Sequence, residues 1–331
     1  MFRYILKRIL MMIPVLIAVS FVVYFLMDLA PGDIISSMAP QDATEAEIEM
    51  MREELGLNGP LIQRYIRYLG DLLQGDMGMS LSLKRPVAEV FFERFPATLE
   101  LALAAAVVAL AISIPLGIAA ATHHRSLLDG VSMVLAMLGV SMPGFWLGLL
   151  LIMWFSPIGL PSGGSGSLVH LILPAAALGA GQAGSLTRIT RSSMLDVIRQ
   201  DYLRTARAKG VSEKQVIRKH ALKNALIPII TVFGSTLGNL LGGAVAIETV
   251  FSWPGIGRLT VNAVNQRDIT LATGCIIMFT VLLTVTMLLV DIAYAYVDPR
   301  IKAQYSKGGG EEWSIGHDIP QRNCGPIKSA L

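Results

Sequence analysis

The sequence predicts an all-α membrane protein of six transmembrane helices, with both termini cytoplasmic. Charge is scarce and unevenly placed. Only 15% of the 331 residues are charged and 53% are hydrophobic, whereas an ordinary soluble domain carries about 25% charged residues. Six runs lack any Asp, Glu, Lys or Arg: 9–27, 101–121, 131–157, 168–187, 226–247 and 269–290. A hydrocarbon core about 30 Å thick takes about 20 residues at helical rise, and every run reaches or nearly reaches that length. Unpaired backbone amides are too costly in lipid for anything but helices or closed barrels. Barrel strands alternate in polarity over about ten residues, and these runs do not. The composition thus excludes a soluble enzyme, a disulfide scaffold and a disordered chain. Cys275 and Cys324 have neither a CxxC neighbour nor metal-ligand spacing.

The elements follow in order. Arg3, Lys7 and Arg8 precede the first run. That run is too long for a signal-peptide core and no small-x-small cleavage site follows, so residues 1–30 read as a retained first helix. Residues 31–95 read as an extracytoplasmic folded insert. Segment 28–96 holds 12 acidic and 6 basic residues. Thr44-x-x-Glu47 is a capping box, Ile48, Met51 and Leu55 repeat at helical spacing, and Gly56 supplies a stop. A second helix follows Pro60 through Tyr65 and Leu69. Residues 96–300 carry the remaining spans, about 97–121, 131–157, 168–187, 226–248 and 269–292, and 301–331 reads as a flexible cytoplasmic tail around Gly308-Gly309-Gly310.

Positive charge orients the bundle. Segments assigned to the cytoplasm hold 19 Lys and Arg against 8 in those assigned outside, and 188–225 alone holds 10. Pro14, Pro115, Pro143 and Pro174 lie in or near spans and are expected to kink or interrupt them. The 131–157 run would be about 40 Å long as one helix, so tilt or a break near Pro143-Gly144 is expected. Gly234, Gly238 and Gly242 recur every fourth residue and predict close helix packing along one ridge.

Segment 194–225 carries the strongest internal pattern. Residues 194–209 read as a helix with an apolar stripe of Met194, Val197, Ile198, Tyr202 and Ala206. Gly210 stops it, and Ser212-x-x-Gln215 opens a second helix through Val216, Ile217 and His220. Two short helices with an exposed basic face fit a groove on another protein. Attraction to anionic lipid headgroups would account for part of the charge.

Asp201-Tyr202-Leu203-Arg204-Thr205-Ala206-Arg207-Ala208-Lys209-Gly210 and His220-Ala221-Leu222-Lys223-Asn224 resemble the coupling loop of ATP-binding-cassette importer permeases. Of that family's Glu-Ala-Ala triplet only Ala206 is kept, and Lys223 stands where a proline is usual. Tyr4-Ile5-Leu6-Lys7-Arg8-Ile9, Ala30-Pro31-Gly32-Asp33, Leu55-Gly56-Leu57, Gly75-Asp76-Met77-Gly78-Met79-Ser80 and Pro96-Ala97-Thr98-Leu99-Glu100 are similar to the dipeptide, oligopeptide and nickel branch. So are Pro143-Gly144-Phe145-Trp146, the stretch from Glu248 to Gly257, and Asp298-Pro299-Arg300. The resemblance spans residues 1 to about 302.

The resemblance implies a type I importer permease of the cytoplasmic membrane of a prokaryote. Its expected partners are a homologous second permease, two ATP-binding subunits and an extracytoplasmic solute-binding protein, in contact with membrane lipid and without nucleic acid. No G-x-x-x-x-G-K-[ST] loop occurs. ATP and Mg are therefore expected in the partners, with no cofactor or metal on this chain and no catalytic residues. The implied coupling residues are Tyr202, Thr205, Ala206, Lys209, Gly210, Val211, His220 and Asn224. Pro143, Phe145, Trp146, Trp253 and Gly255 are candidates for the path or an outer gate. The turn-rich 248–268 stretch could line that gate or only reverse the chain. Glu100, Glu248 and Asp291 border spans, where they can reach water or partners. The expected cargo is a di- or oligopeptide, the alternatives being a nickel chelate, glutathione or a sugar. The rival class is a secondary transporter driven by an ion gradient, which would usually carry internal repeats and interior ionisable groups.

Overall fold

The computed structural model describes residues 2–29, 44–54 and 58–297. The proposed stop at Leu55-Gly56, the 30–33 motif, Asp298-Pro299-Arg300 and the 301–331 tail lie outside the described residues. Apart from an isolated bridge between Met79 and Pro86, the regular structure among the described residues is helical.

Helix α1 (Phe2–Leu29) runs on through Pro14. Most of its described side chains are exposed hydrophobics such as Leu10, Ile13 and Val22, as lipid contact requires, while Ser20 and Tyr24 are buried. Helix α2 (Glu45–Glu54) starts at a reciprocal capping box. The Thr44 amide donates to Glu47 Oε2 at 2.8 Å and the Glu47 amide to Thr44 Oγ1 at 3.4 Å. The bond from the Thr44 backbone, then that from its hydroxyl, hold the Glu47 carboxyl below its ordinary pKa. Helix α3 (Leu61–Leu73) docks on α1 through Tyr65. Its phenol donates to the Ile17 carbonyl at 2.9 Å and shares a 2.7 Å hydrogen bond with Ser20. The Phe21 and Tyr24 rings pack on it, and Arg64 pairs with Asp28.

Helix α4 (Val87–Thr122) is 36 residues long and passes through Pro96 and Pro115. It begins well before its uncharged run, at residue 87 rather than 101. Helices α5 (Leu127–Ser141) and α6 (Gly144–Phe155) meet at a bend of 106°. Met142 and Pro143 are extended there, as the residue before a proline prefers. The break absorbs the surplus length of the 131–157 run. Helix α7 (Leu168–Ile198) passes through Pro174, so Pro143 alone of the four prolines ends a helix. Neighbouring helices and local adjustments satisfy the backbone groups that membrane prolines free.

After α7 come α8 (Asp201–Ala208), α9 (Leu222–Val250), α10 (Ile256–Asn265) and α11 (Ile269–Val297). Five helices among the described residues are long and apolar enough to cross a membrane, or six if the bent pair is one span. The main core lies between α4, α7 and α9, around Leu101, Leu173, Leu240, Ile247 and Phe251. Small residues permit this: a Cβ at Gly179 would stand 2.6 Å from the Ala105 carbonyl oxygen. The 234–242 ridge packs only in part. Gly238 faces Met287 on α11, whereas Gly242 meets nothing.

Candidate functional site

The basic segment between α7 and α9 is a packed two-armed element. The sequence predicted one helix over 194–209. Instead α7 ends at Ile198, the chain turns at Arg199 and Gln200, and α8 starts anew. The predicted stripe shifts with it. Leu203, not Tyr202, is fully buried, while Tyr202 is 42% exposed. Leu203 joins Met194, Val216, Ala221, Ala225 and Ile229 in a core with Ala121 of α4. Both arms are thereby fixed to three membrane helices.

Gly210 closes α8 with φ +78°, a left-handed conformation that favours glycine. Its amide donates to the Arg207 carbonyl at 3.0 Å and the Val211 amide to the Ala206 carbonyl at 3.3 Å. These are the two bonds of a Schellman motif. Ala206 and Val211 pack inward against the core, completing it. The Ser212 hydroxyl makes no capping bond, contrary to the predicted box; Ser212 offers its carbonyl, to the Gln215 and Val216 amides. Arg207 straddles the turn and donates to both carboxylate oxygens of Glu213, at 3.0 and 2.9 Å. Those hydrogen bonds lower the Glu213 pKa and raise that of Arg207.

The return arm is π-helical over Val216–Ala221 before α9 begins. It places His220 beside Tyr202 and Asn224. The Asn224 amide donates to the Tyr202 phenolic oxygen at 2.6 Å and to the His220 carbonyl at 3.1 Å. So the structure joins Tyr202, His220 and Asn224 across the two arms. Thr205, Lys209 and Gly210 lie exposed on the outer face of α8. Sequence reasoning missed Leu203, Arg207, Glu213 and the π turn. Opposite charges flanking Gly210 could have flagged the Arg207–Glu213 pair, whereas a π turn has no sequence signature. It also missed Arg191, which binds Asp129 through Nε at 2.6 Å and Nη2 at 2.7 Å, with His124 Nδ1 3.2 Å from the same carboxylate. This cluster ties the 123–126 turn to α7.

At the opposite end, the 251–258 turn is packed rather than open. Trp253 is 2% exposed and its indole donates to the Ala97 carbonyl at 2.8 Å. Glu248 is fully buried and does not reach water. It accepts from Thr98 Oγ1 at 2.6 Å and from the Arg258 amide at 3.0 Å. Thr98 in turn accepts from the Ile256 amide at 2.8 Å, so the pair caps α10. A Cβ on Gly255 would collide with the Glu248 carboxylate.

Between the α5–α6 bend, α7 and α9 lies a cavity of about 470 Å³. Phe145 lines it with Gln182, Ser185 and Asn239, between Gly144, Gly181 and Gly243. Pro143 caps α6 beside it, and Trp146 is exposed and outside the lining. Along α9 the exposed positions include Thr231, Ser235, Asn239 and Thr249. Thr231, Ser235 and Thr249 donate their hydroxyls to carbonyls of α9 itself, at 3.0, 2.7 and 2.9 Å. Among the described residues no group of three or more His, Cys, Asp or Glu could hold a metal.

Residues 113–303 match the family described as binding-protein-dependent transport system inner membrane component, and residues 1–102 match that described as its N-terminal part. The oligopeptide transport system permease protein AppB of Bacillus subtilis (strain 168) is 41% identical over 320 residues, 91% of this chain and 100% of that protein. The glutathione transport system permease protein GsiC of Escherichia coli (strain K12) is 42% identical over 304 residues, 91% of this chain and 99% of that protein. Among solved structures, the inward-facing MetNI methionine ABC transporter superposes with a TM-score of 0.56 at 18% identity, over 66% of this chain and 100% of that one. An amino acid ABC transporter gives 0.50 at 14% identity, over 64% and 94%. At such identities the likeness is one of fold.

Proposed function

We propose a role for this chain from one premise: it belongs to the binding-protein-dependent transport system inner membrane component family, and is an ABC importer permease of the cytoplasmic membrane. Within the importer it pairs with a homologous permease. Two ATP-binding subunits dock on the 194–225 loop, and a solute-binding protein docks on the insert side. This makes the loop end cytoplasmic, both termini included, and the bent α5–α6 pair the third of six spans.

The observation that carries the reading is the packing of the loop onto the membrane helices. Leu203 is fully buried and Gly210 closes a complete Schellman turn, while Thr205 and Lys209 stay exposed for a partner. Closure of the ATPases therefore moves α7 and α9 as rigid bodies, as a two-state transition requires.

The cargo we propose is a short peptide-like solute of the oligopeptide or glutathione class, the two classes that the relatives' names give. Gln182, Ser185 and Asn239 offer it neutral donors and acceptors that match backbone amides. The test is uptake of labelled glutathione, dipeptide and nickel chelate by a strain whose only importer contains this chain. Uptake of a peptide-like label that stops on ATP depletion, with the ion gradient held, is expected. Continued uptake without ATP would make it a secondary transporter, and exclusive nickel uptake would remove the peptide assignment.

A further inference from the structure

A second cavity lies far from the coupling loop, where α1, α3 and α11 meet at the insert end. It holds about 270 Å³ and its polar lining includes Arg64, Arg67, Tyr68, Asp71, Asp76 and Thr273. Five buried side-chain nitrogen and oxygen atoms lack a partner among the described residues, and three of them, Arg64 Nε, Tyr68 Oη and Thr273 Oγ1, belong to this lining. A buried polar atom left unpaired is costly, so three on residues of one lining point to a polar occupant. Arg64 spends one guanidinium nitrogen on Asp28. Arg67 and Asp71 form no ion pair among the described residues. The cavity therefore presents both signs of charge.

Met77 lines both this cavity and an apolar cleft of about 340 Å³ bounded by Leu16, Ile17, Leu72, Ile277 and Val281. Water can satisfy a polar cavity but not an apolar cleft. The two parts follow one another along α1 and α11. On α1, Tyr24 lines the polar part and Ile13 the apolar part; on α11, Thr270 lines the first and Val281 the second. Eleven helical residues rise about 16 Å on both helices, close to the depth of one leaflet in a core of about 30 Å. Ile13 is 49% and Ile17 46% exposed, so the cleft opens sideways toward lipid.

We propose that this composite cleft binds one glycerophospholipid with a zwitterionic, ethanolamine-type headgroup. The phosphate accepts from Arg64 Nε, Arg67, Tyr68 and Thr273. The ammonium lies against Asp71 and Asp76, and one acyl chain fills the cleft between α1 and α11. The lipid wedges the insert against the first and last helices.

The test is quantitative lipid analysis and native mass spectrometry of the full-length chain, purified with its partner subunits in mild detergent and washed to remove bulk lipid. About one phosphatidylethanolamine per chain, retained in preference to phosphatidylglycerol, is expected. Tyr68→Phe with Thr273→Val removes two hydroxyls at nearly constant volume and should weaken retention about tenfold, and Arg67→Gln, on an exposed side chain, should do likewise. Retention no greater than that of bulk micellar lipid, equal retention of phosphatidylglycerol, or wild-type retention by the variants would overturn the proposal.

Discussion

Leu203 is fully buried between exposed neighbours, and it anchors α8 to the membrane helices. Leu203→Ala should cost about 2–5 kcal/mol by lost burial and a residual cavity. A thermal unfolding series on the purified complex reads this as a lower midpoint, and an unchanged midpoint would mean that α8 is not packed as described. The Arg207–Glu213 pair behaves differently because Glu213 is 61% exposed. Its carboxyl titrates below the ordinary value of 4.5, so the pair's support is complete above that pH and fades as pH falls through the lowered value. Hydrogen exchange at Val211 should therefore be flat with pH, once corrected for intrinsic rates, from neutrality to about 5, and faster in more acidic solution. Asp268 is a third such residue. It accepts from Ser80 Oγ at 2.7 Å, Ser82 N at 2.9 Å, Ser82 Oγ at 2.8 Å and Leu271 N at 3.0 Å. Asp268→Ala should leave those donors unpaired and speed exchange across 80–86, while amides in the α4–α7 core stay protected.

At the level of elements, the π turn Val216–Ala221 fixes how the return arm of the loop faces relative to α9. Excising Lys219 would restore an α-helical count and rotate the loop about 100° against α9, at 3.6 residues per turn. Transport should fall to background while the chain still inserts, as membrane fractionation would record. Much of this layout was legible in the sequence. Uncharged runs marked the spans because lipid excludes charge, and Pro143-Gly144 marked the break in the overlong run. Thr44 and Glu47 marked the start of α2 through a local side-chain bond. Other features were not legible because tertiary packing decides them. Helices run through Pro14, Pro96, Pro115, Pro174 and Pro228, as membrane helices tolerate. The stripe on α8 shifted from Tyr202 to Leu203 because a break at Arg199 and Gln200 resets the helical phase. Glu248 borders a span, where water or partners were expected within its reach, and is a buried cap, since its donors arrive from Thr98 and from residues up to ten positions on. Gln182, Ser185 and Asn239 come together only through the fold of α7 and α9.

Across the whole molecule, the loop and the polar cavity share α7 and α9. Both helices carry side chains of the loop core at one end and the cavity lining farther along. On the function proposed above, a loop displaced by partner ATPases would thus act directly on the walls of that cavity. Gly210 sets the angle between the loop's arms at φ +78°, which proline, held near −65°, cannot adopt. The decisive measurement is the amount of solute accumulated per ATP hydrolysed by the reconstituted importer, wild type against Gly210→Pro. The account predicts continued ATP turnover with accumulation reduced at least tenfold. Accumulation per ATP near the wild-type value would contradict it.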